Sequence, residues 1–272
     1  MSSELRWRRR ALPGRAETWE GMENRSGFPC QNDVARLRES LAGLNWPEAL
    51  AQASRRWRTV FTTSFGLEDQ AILHAIAQAR LPVRVVTLDT GRLFEETHKV
   101  HEESRRRYGI AIQVYAPYPS ALQRLVNRIG PNGFYDSVEN RQACCHVRKV
   151  EPLRRALTDA ELWVTGIRRE QSPDRAKLDH VERDAKHRVL KFHPLLDVSE
   201  SELRDYIREN QVPYNPLHDQ GFPSIGCAPC TRAVQPGEPA RRGRWWWEDD
   251  AQKECGLHLQ GGRLVRTKGQ ET

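Results

Sequence analysis

Four of the six cysteines stand in two tight pairs, Cys144-Cys145 and Cys227-Ala-Pro-Cys230, and a fifth, Cys255, lies in Glu254-Cys255-Gly256-Leu257-His258. Paired soft thiolates are ligands for zinc or for an iron–sulfur cluster. A single tetrahedral zinc more usually takes two Cys-x-x-Cys pairs. Adjacent cysteines reach separate irons of a larger 4Fe–4S cube with less backbone strain, so iron–sulfur is the preferred reading and zinc stays open. The flanking Arg141, His146, Arg148 and Lys149 argue against Cys144 and Cys145 being small buried hydrophobes. Cys255 sits in a Gly-rich stretch without apolar periodicity, which marks a mobile nucleophile. A thiol becomes reactive as its thiolate, and His258 and the nearby arginines are candidates for lowering its pKa. Cys30 stands alone and is assigned no role.

Polar residues gather at three turns. Ser64-Phe65-Gly66-Leu67-Glu68-Asp69 joins a strand pattern to a helix pattern, and such a turn offers backbone N–H groups to a phosphate. Leu88-Asp89-Thr90-Gly91-Arg92 places a carboxylate, a hydroxyl, a flexible turn and a guanidinium at one rim. Thr165-Gly166-Ile167-Arg168-Arg169 repeats the Thr-Gly turn, again with arginine following. Two such turns at strand ends fit nucleotide binding. Lys149 follows Cys145 by four residues, so on a helix the two share a face and the lysine can carry charge between a metal site and a bound anion. Arg241-Arg242-Gly243-Arg244 adds guanidiniums suited to phosphate or sulfate oxygens. Trp245-Trp246-Trp247 behind them is read as an anchor for the tail.

The elements that must position these residues alternate regularly. Helical spacing links Val34, Leu37, Leu41 and Leu44, and again Leu67, Ala71, Ile72, Ala75 and Ile76. Strands are expected over 59–64, 83–88, 110–115, 162–165 and 188–192, with a helix over 94–108 and another carrying Val147, Val150, Leu153 and Leu157. The expected fold is α/β, a mostly parallel sheet with helices on both faces. Its ligands then sit outside the carboxyl ends of the strands. Residues 1–30 read as a poorly ordered extension, 31–230 as a nucleotide- and cluster-binding domain, and 231–272 as a C-terminal tail. A formal charge of +7 favours anionic partners. No apolar run approaches the roughly 18 residues that cross a bilayer. Arg6-Trp7-Arg8-Arg9-Arg10 has no apolar segment behind it, so no secretory signal is expected and the cysteines are expected in a reducing cytoplasm.

Taken together, the two cysteine pairs, Thr165-Gly166-Ile167-Arg168-Arg169-Glu170-Gln171-Ser172, the Arg241–Trp247 run and Glu254-Cys255-Gly256-Leu257-His258 resemble the assimilatory sulfonucleotide reductases. The similarity is to their adenylyl-sulfate (APS) reductase branch with an iron–sulfur cluster, over roughly residues 35–260. The resemblance implies an adenine-nucleotide α-hydrolase-like, Rossmann-like fold and a 4Fe–4S cluster on Cys144, Cys145, Cys227 and Cys230. It implies attack by Cys255 on the sulfur of APS, leaving AMP and an enzyme S-sulfonate, with thioredoxin releasing sulfite. Ser64, Thr90, Gly91, Arg92, Lys149, Gly166, Arg168, Arg242, Arg244 and His258 are the expected substrate-binding residues. The family's pyrophosphatase relatives carry Ser-Gly-Gly-x-Asp-Ser, whereas Ser64-Phe65-Gly66-Leu67-Glu68-Asp69 lacks the glycine pair, which disfavours ATP cleavage. The 3′-phosphorylated substrate (PAPS) stays open. An RNA-modifying sulfur-transfer enzyme of the same fold is the alternative, and a zinc-binding module is a third reading. Neither nucleic acid nor membrane is expected as a partner.

Overall fold

A computed structural model describes residues 29–172 and 175–248. Helices α1 (Gln31–Leu41) and α2 (Trp46–Arg56) lead into β1 (Thr59–Thr63), α3 (Leu67–Gln78), β2 (Val83–Leu88), α4 (Glu95–Tyr108) and β3 (Ile112–Tyr115). Then come α5 (Pro119–Ile129), α6 (Val138–Cys145), α7 (Glu151–Ala156), β4 (Leu162–Val164), β5 (Val181–Asp184), β6 (Val189–Phe192) and α8 (Glu200–Glu209). The strands form one sheet in the order β3-β2-β1-β4-β6-β5. All neighbours are parallel except β5 with β6. The mostly parallel α/β sheet is therefore as expected, with an antiparallel edge strand added.

Both faces of the sheet are covered, for the reason that its strands are apolar on both sides. Phe61, Val85 and Leu162 point to a core shared with Leu50 of α2, Leu73 of α3 and Leu203 of α8. Val60, Val86 and Trp163 face the other way, against Leu153, Ala156 and Leu157 around α7. The chain after β1 runs to β2 on one side, while β4 lies on the other, so the strand order reverses at β1. Such a reversal opens a crevice at the carboxyl ends.

Two local expectations are corrected. The Val34–Leu44 pattern stops short: α1 ends at Leu41, exposed Leu44 lies in the turn, and a separate helix starts where Asn45 caps α2 and exchanges bonds with Glu48 in a capping box, with Pro47 at the helix start. The Val147–Leu157 periodicity is not one α-helix. Residues His146–Val150 form a π turn, in which the Glu151 N–H donates to the His146 carbonyl five residues back, before α7 resumes. Pro152 is the cause: it has no N–H to give the Arg148 carbonyl, and its ring would clash with that carbonyl in a regular helix.

Beneath the β4 turn, His193 is fully buried and its Nδ1 lies 2.6 Å from Thr165 Oγ1. Burial pushes the imidazole down to about 4, and Glu182, 3.6 Å from Nε2, offsets this only in part. The unfolded chain takes up this proton near pH 6.5, so the contribution of His193 is complete above that value and fades as pH falls towards 4. The difference corresponds to at most about 3 kcal/mol. Buried Asp69, raised to about 6, runs oppositely and loses stability as pH rises. Urea unfolding of wild type and His193→Gln between pH 4 and 7.5 isolates the histidine, because Asp69 is common to both. The gap between the two proteins should widen with pH; a constant gap would dismiss the buried neutral imidazole as its source.

Candidate active site

The crevice at β1 is a cavity of about 270 Å³. That lies near the lower end of small-molecule sites. Its floor is made by strand-end residues. Ser64 gives both its N–H (2.6 Å) and its hydroxyl (2.8 Å) to Asp69 Oδ2, drawing the β1 turn onto the start of α3. Phe65, rather than Gly66, takes the left-handed conformation (φ 62°), stacked on His101 with centroids 4.9 Å apart. Gly166 must approach this turn closely, since a Cβ there would stand 2.5 Å from Asp69 Oδ1 and 2.9 Å from Glu68 Cβ.

The cavity collects Ser64, Thr90, Lys149, Gly166, Arg168 and Arg244 from the expected set. Arg241 lines it, and Arg242 does not. Arg168 is almost fully buried and already engaged: its Nε donates to Glu68 (2.9 Å) and its Nη1 to Glu170 (2.8 Å). It therefore braces the wall. Gly91 (φ 67°) turns the chain beside Arg148. Arg92 faces a second cavity, its guanidinium 5.1 Å over the Phe134 ring and bonded to the Pro131 carbonyl and to Asn132.

That second cavity holds all four paired cysteines. Cys144 and Cys145 end α6, and the wide π turn beyond them brings Arg148 and Lys149 to the same wall. The other pair is fixed by backbone: Ala228 N–H donates to the Arg92 carbonyl (2.8 Å) and Trp245 N–H to the Cys230 carbonyl (3.1 Å). The Cys227 thiol reaches Thr90 Oγ1 at 3.3 Å. Burial raises the Cys227 thiol, but Lys149, the Thr90 contact, Arg244 and Arg148 outweigh it and the net shift is downward. Burial and the neighbouring Cys227 push Cys230 up to about 12. Among the described residues no three His, Cys, Asp or Glu side chains are set to hold a single metal ion. One zinc would require four sulfurs at about 2.3 Å from a point. The four soft donors line one cavity with Arg148 and Lys149 beside them, a thiolate set of the kind that zinc and iron–sulfur clusters both take.

Lys149 and Trp245 line both cavities. Trp245 is buried, with the Arg141 and Arg244 guanidiniums each 4.8 Å from its ring. A Cβ on Gly226 would collide with Arg244, at 2.3 Å from Nη2, so this glycine lets the guanidinium lie against the backbone. Thr231 and Arg244 form an antiparallel bridge that folds the chain back, and Arg141 then donates to Glu248 Oε1 at 2.6 Å with both side chains buried. Trp245 is thus an anchor, with Trp247 packed beside it, whereas Trp246 is exposed. His218 and Glu248 were not singled out by sequence; Arg141 was noted only as a flank of the cysteine pair, and Asp69 only as the end of the first turn. Cys255 and His258 lie outside the described residues.

The match to known proteins follows this geometry. The model of the phosphoadenosine phosphosulfate reductase domain matches residues 58–233. A relative from Agrobacterium fabrum named adenosine 5′-phosphosulfate reductase is 50% identical over 230 residues, covering 84% of this chain and 88% of the relative. One of the same name from Allochromatium vinosum is 55% identical over 212 residues, covering 78% and 83%. A crystal structure of phosphoadenylyl-sulfate reductase from Candida auris, in complex with phosphate, superposes with a TM-score of 0.66 at 27% identity, covering 77% of this chain and all of that one.

Replacing Glu248 by Ala removes the carboxylate facing the buried Arg141 guanidinium, which should cost about 3 kcal/mol in urea unfolding. The pair Arg141→Met with Glu248→Leu should recover most of it. Unchanged stability of Glu248→Ala would show that the ion pair is not an anchor.

Proposed function

The chain belongs to the phosphoadenosine phosphosulfate reductase domain family, and from that premise we propose that it reduces adenylyl sulfate (APS) to sulfite and AMP in sulfate assimilation. The observation that carries this reading is Lys149, whose side chain lines the nucleotide-sized cavity and the four-cysteine cavity together. The relatives near 50% identity bear the name of the APS enzyme.

The Cys255 thiolate attacks the sulfur of APS. The bond from that sulfur to the bridging oxygen breaks, and AMP departs with the electron pair. An S-sulfonate then remains on Cys255. Negative charge grows on the bridging oxygen, and Lys149, Arg241 and Arg244 on the cavity wall offset it. A dithiol reductant completes the cycle, and thioredoxin is our assignment. One of its thiolates attacks Cys255 Sγ and sulfite leaves with the bonding pair. The second thiol then displaces the Cys255 thiolate, so the reductant ends as a disulfide. Both electrons come from that dithiol.

Cys144, Cys145, Cys227 and Cys230 would hold a 4Fe–4S cluster. When bound, the cluster supplies a buried, thiolate-ligated iron core. The residues of the chain bind and orient the substrate: the Ser64 turn and Gly166 form the floor, and Lys149 and Arg244 face the anionic end. No helix among the described residues is long and apolar enough to cross a membrane. A cytoplasmic location is part of the proposal.

Anaerobically purified protein given APS and no reductant should gain one SO₃ group, about 80 Da, on Cys255. Cys255→Ser should gain nothing, and sulfite released by that variant at the normal rate with thioredoxin would sink the assignment. Iron and acid-labile sulfide should co-purify with wild type and be lost with the visible absorbance in Cys227→Ser. Stoichiometric zinc in a colourless wild type would overturn the cluster.

A further inference from the structure

His218 sits on the 3₁₀ turn Pro216–Gln220 at the wall of the large cavity, 92% buried by its 8% exposure. The turn is rigidly held. Asn215 caps it by accepting from the Leu217 N–H at 3.1 Å, and its amide donates to Thr97 at 3.2 Å. By distance and angle neither ring nitrogen of His218 has a hydrogen-bond partner, although the Phe222 backbone lies close enough to the ring to oppose part of the effect of burial on its pKa. His187 and His193, the other buried histidines with an unpartnered nitrogen, each leave only one. Buried polar groups are nearly always satisfied, and an exception on a cavity wall points to a ligand.

The chemistry of the surroundings says which part of a ligand. Lys149 and Arg244 act on Cys227 at one region of the cavity, and Arg241 lies with Arg244 against Trp245. His218 belongs to another, where its neighbours are Glu68 and Arg204. The cations there are committed to protein groups: Arg168 to Glu68 and Glu170, Arg204 to Glu200 at 2.8 Å, and Arg175 to the side-chain Oε1 of Gln171. Positive charge thus gathers at the first region, where Lys149, Arg244 and Arg148 all act on Cys227, whereas the arginines of the second face carboxylates, so the phosphosulfate belongs at the first and the nucleoside at the second. Burial lowers the pKa of His218, so its ring is neutral and offers one donor and one acceptor. A sugar hydroxyl has the same two capacities, and carboxylates beside it suit a ribose diol. A phosphate on that ribose would have to displace Glu68, Glu170 or Glu200 from Arg168 or Arg204 to gain a cationic partner.

We propose that His218 contacts the substrate directly, hydrogen-bonding a ribose hydroxyl, and that with these carboxylates it makes the cavity accept a free ribose and refuse a 3′-phosphorylated one. The proposal rests on reading the cavity as the APS site, and it names the feature that separates APS from PAPS.

Calorimetric binding of AMP, 2′-deoxy-AMP and 3′-deoxy-AMP to the anaerobically purified full-length protein tests it. His218→Ala should bind AMP about tenfold more weakly, yet bind one of the two deoxynucleotides as well as wild type does. Equal weakening for all three nucleotides, or for none, overturns the contact. Thermal unfolding without nucleotide separates a folding defect from a lost contact. Where His218→Ala does not fold, the same comparison with His218→Gln decides. For selectivity, His218→Lys should raise kcat/KM for PAPS relative to APS at least tenfold, and an unchanged ratio overturns that half. AMP binding that depends on His218 in a protein making no sulfite from either substrate would refute the reductase reading while supporting the contact.

Discussion

A guanidinium cannot be left in an apolar interior without a counter-charge, and Arg141 meets that constraint with Glu248, 107 residues further along the chain. The pairing fixes more than itself. Arg141 lies on the helix that ends in Cys144-Cys145, while Glu248 closes the segment that begins at Cys230. Trp245, stacked between Arg141 and Arg244, fills the space between them. One buried interaction thus joins the two cysteine pairs across a cavity. The same contacts set the wall that this cavity shares with its larger neighbour.

Lys149 reaches that wall because the helix is not regular. A π turn needs a reason, since its hydrogen bonds are no better than those of an α-helix and its wider bore packs less well. Pro152 supplies one, and the wide turn places Cys144, Cys145, Arg148 and Lys149 around one opening. On the opposite side, Gly166 and the Ser64–Asp69 bonds bring two strand-end turns into contact, which gives the larger cavity its floor. Cations at one region and balanced ion pairs at the other make the cavity electrically lopsided. Such a site orients a substrate that is anionic at only one end.

Much of this was legible because it is local. The β-branched runs marked β1 and β2, and strand–helix alternation gave the parallel sheet. Cysteine spacing marked the residues that meet at the second cavity, and chain proximity placed Lys149 beside them. The π turn was also written in the sequence, at Pro152, but apolar periodicity masked it. Strand β5 was hidden for a different reason: Val181-Glu182-Arg183-Asp184 is polar and lies at the sheet edge, so burial leaves little pattern. The Arg141–Glu248 pair and the isolation of His218 depend on long-range packing, which a single sequence does not encode in its spacing. Arg168 shows the limit most clearly. A guanidinium after a Thr-Gly turn reads as an anion ligand until three carboxylates are found around it.

The anchor also constrains the chemistry proposed for Cys255. Seven residues separate it from Glu248, and an extended chain of that length spans at most about 25 Å. Chain length alone therefore holds the proposed nucleophile within that distance of the Glu248 anchor. It must meet two partners in turn, a small anion inside a cavity and a reductant too large to enter it. A thiol built into a strand end could serve only the first. On the proposed reaction, a covalent connection to a buried ion pair helps with both demands, because chain length alone limits how dilute the thiolate can be at the cavity. The stability of a buried charge pair thereby becomes a condition on catalysis, even though neither Arg141 nor Glu248 needs to touch the substrate.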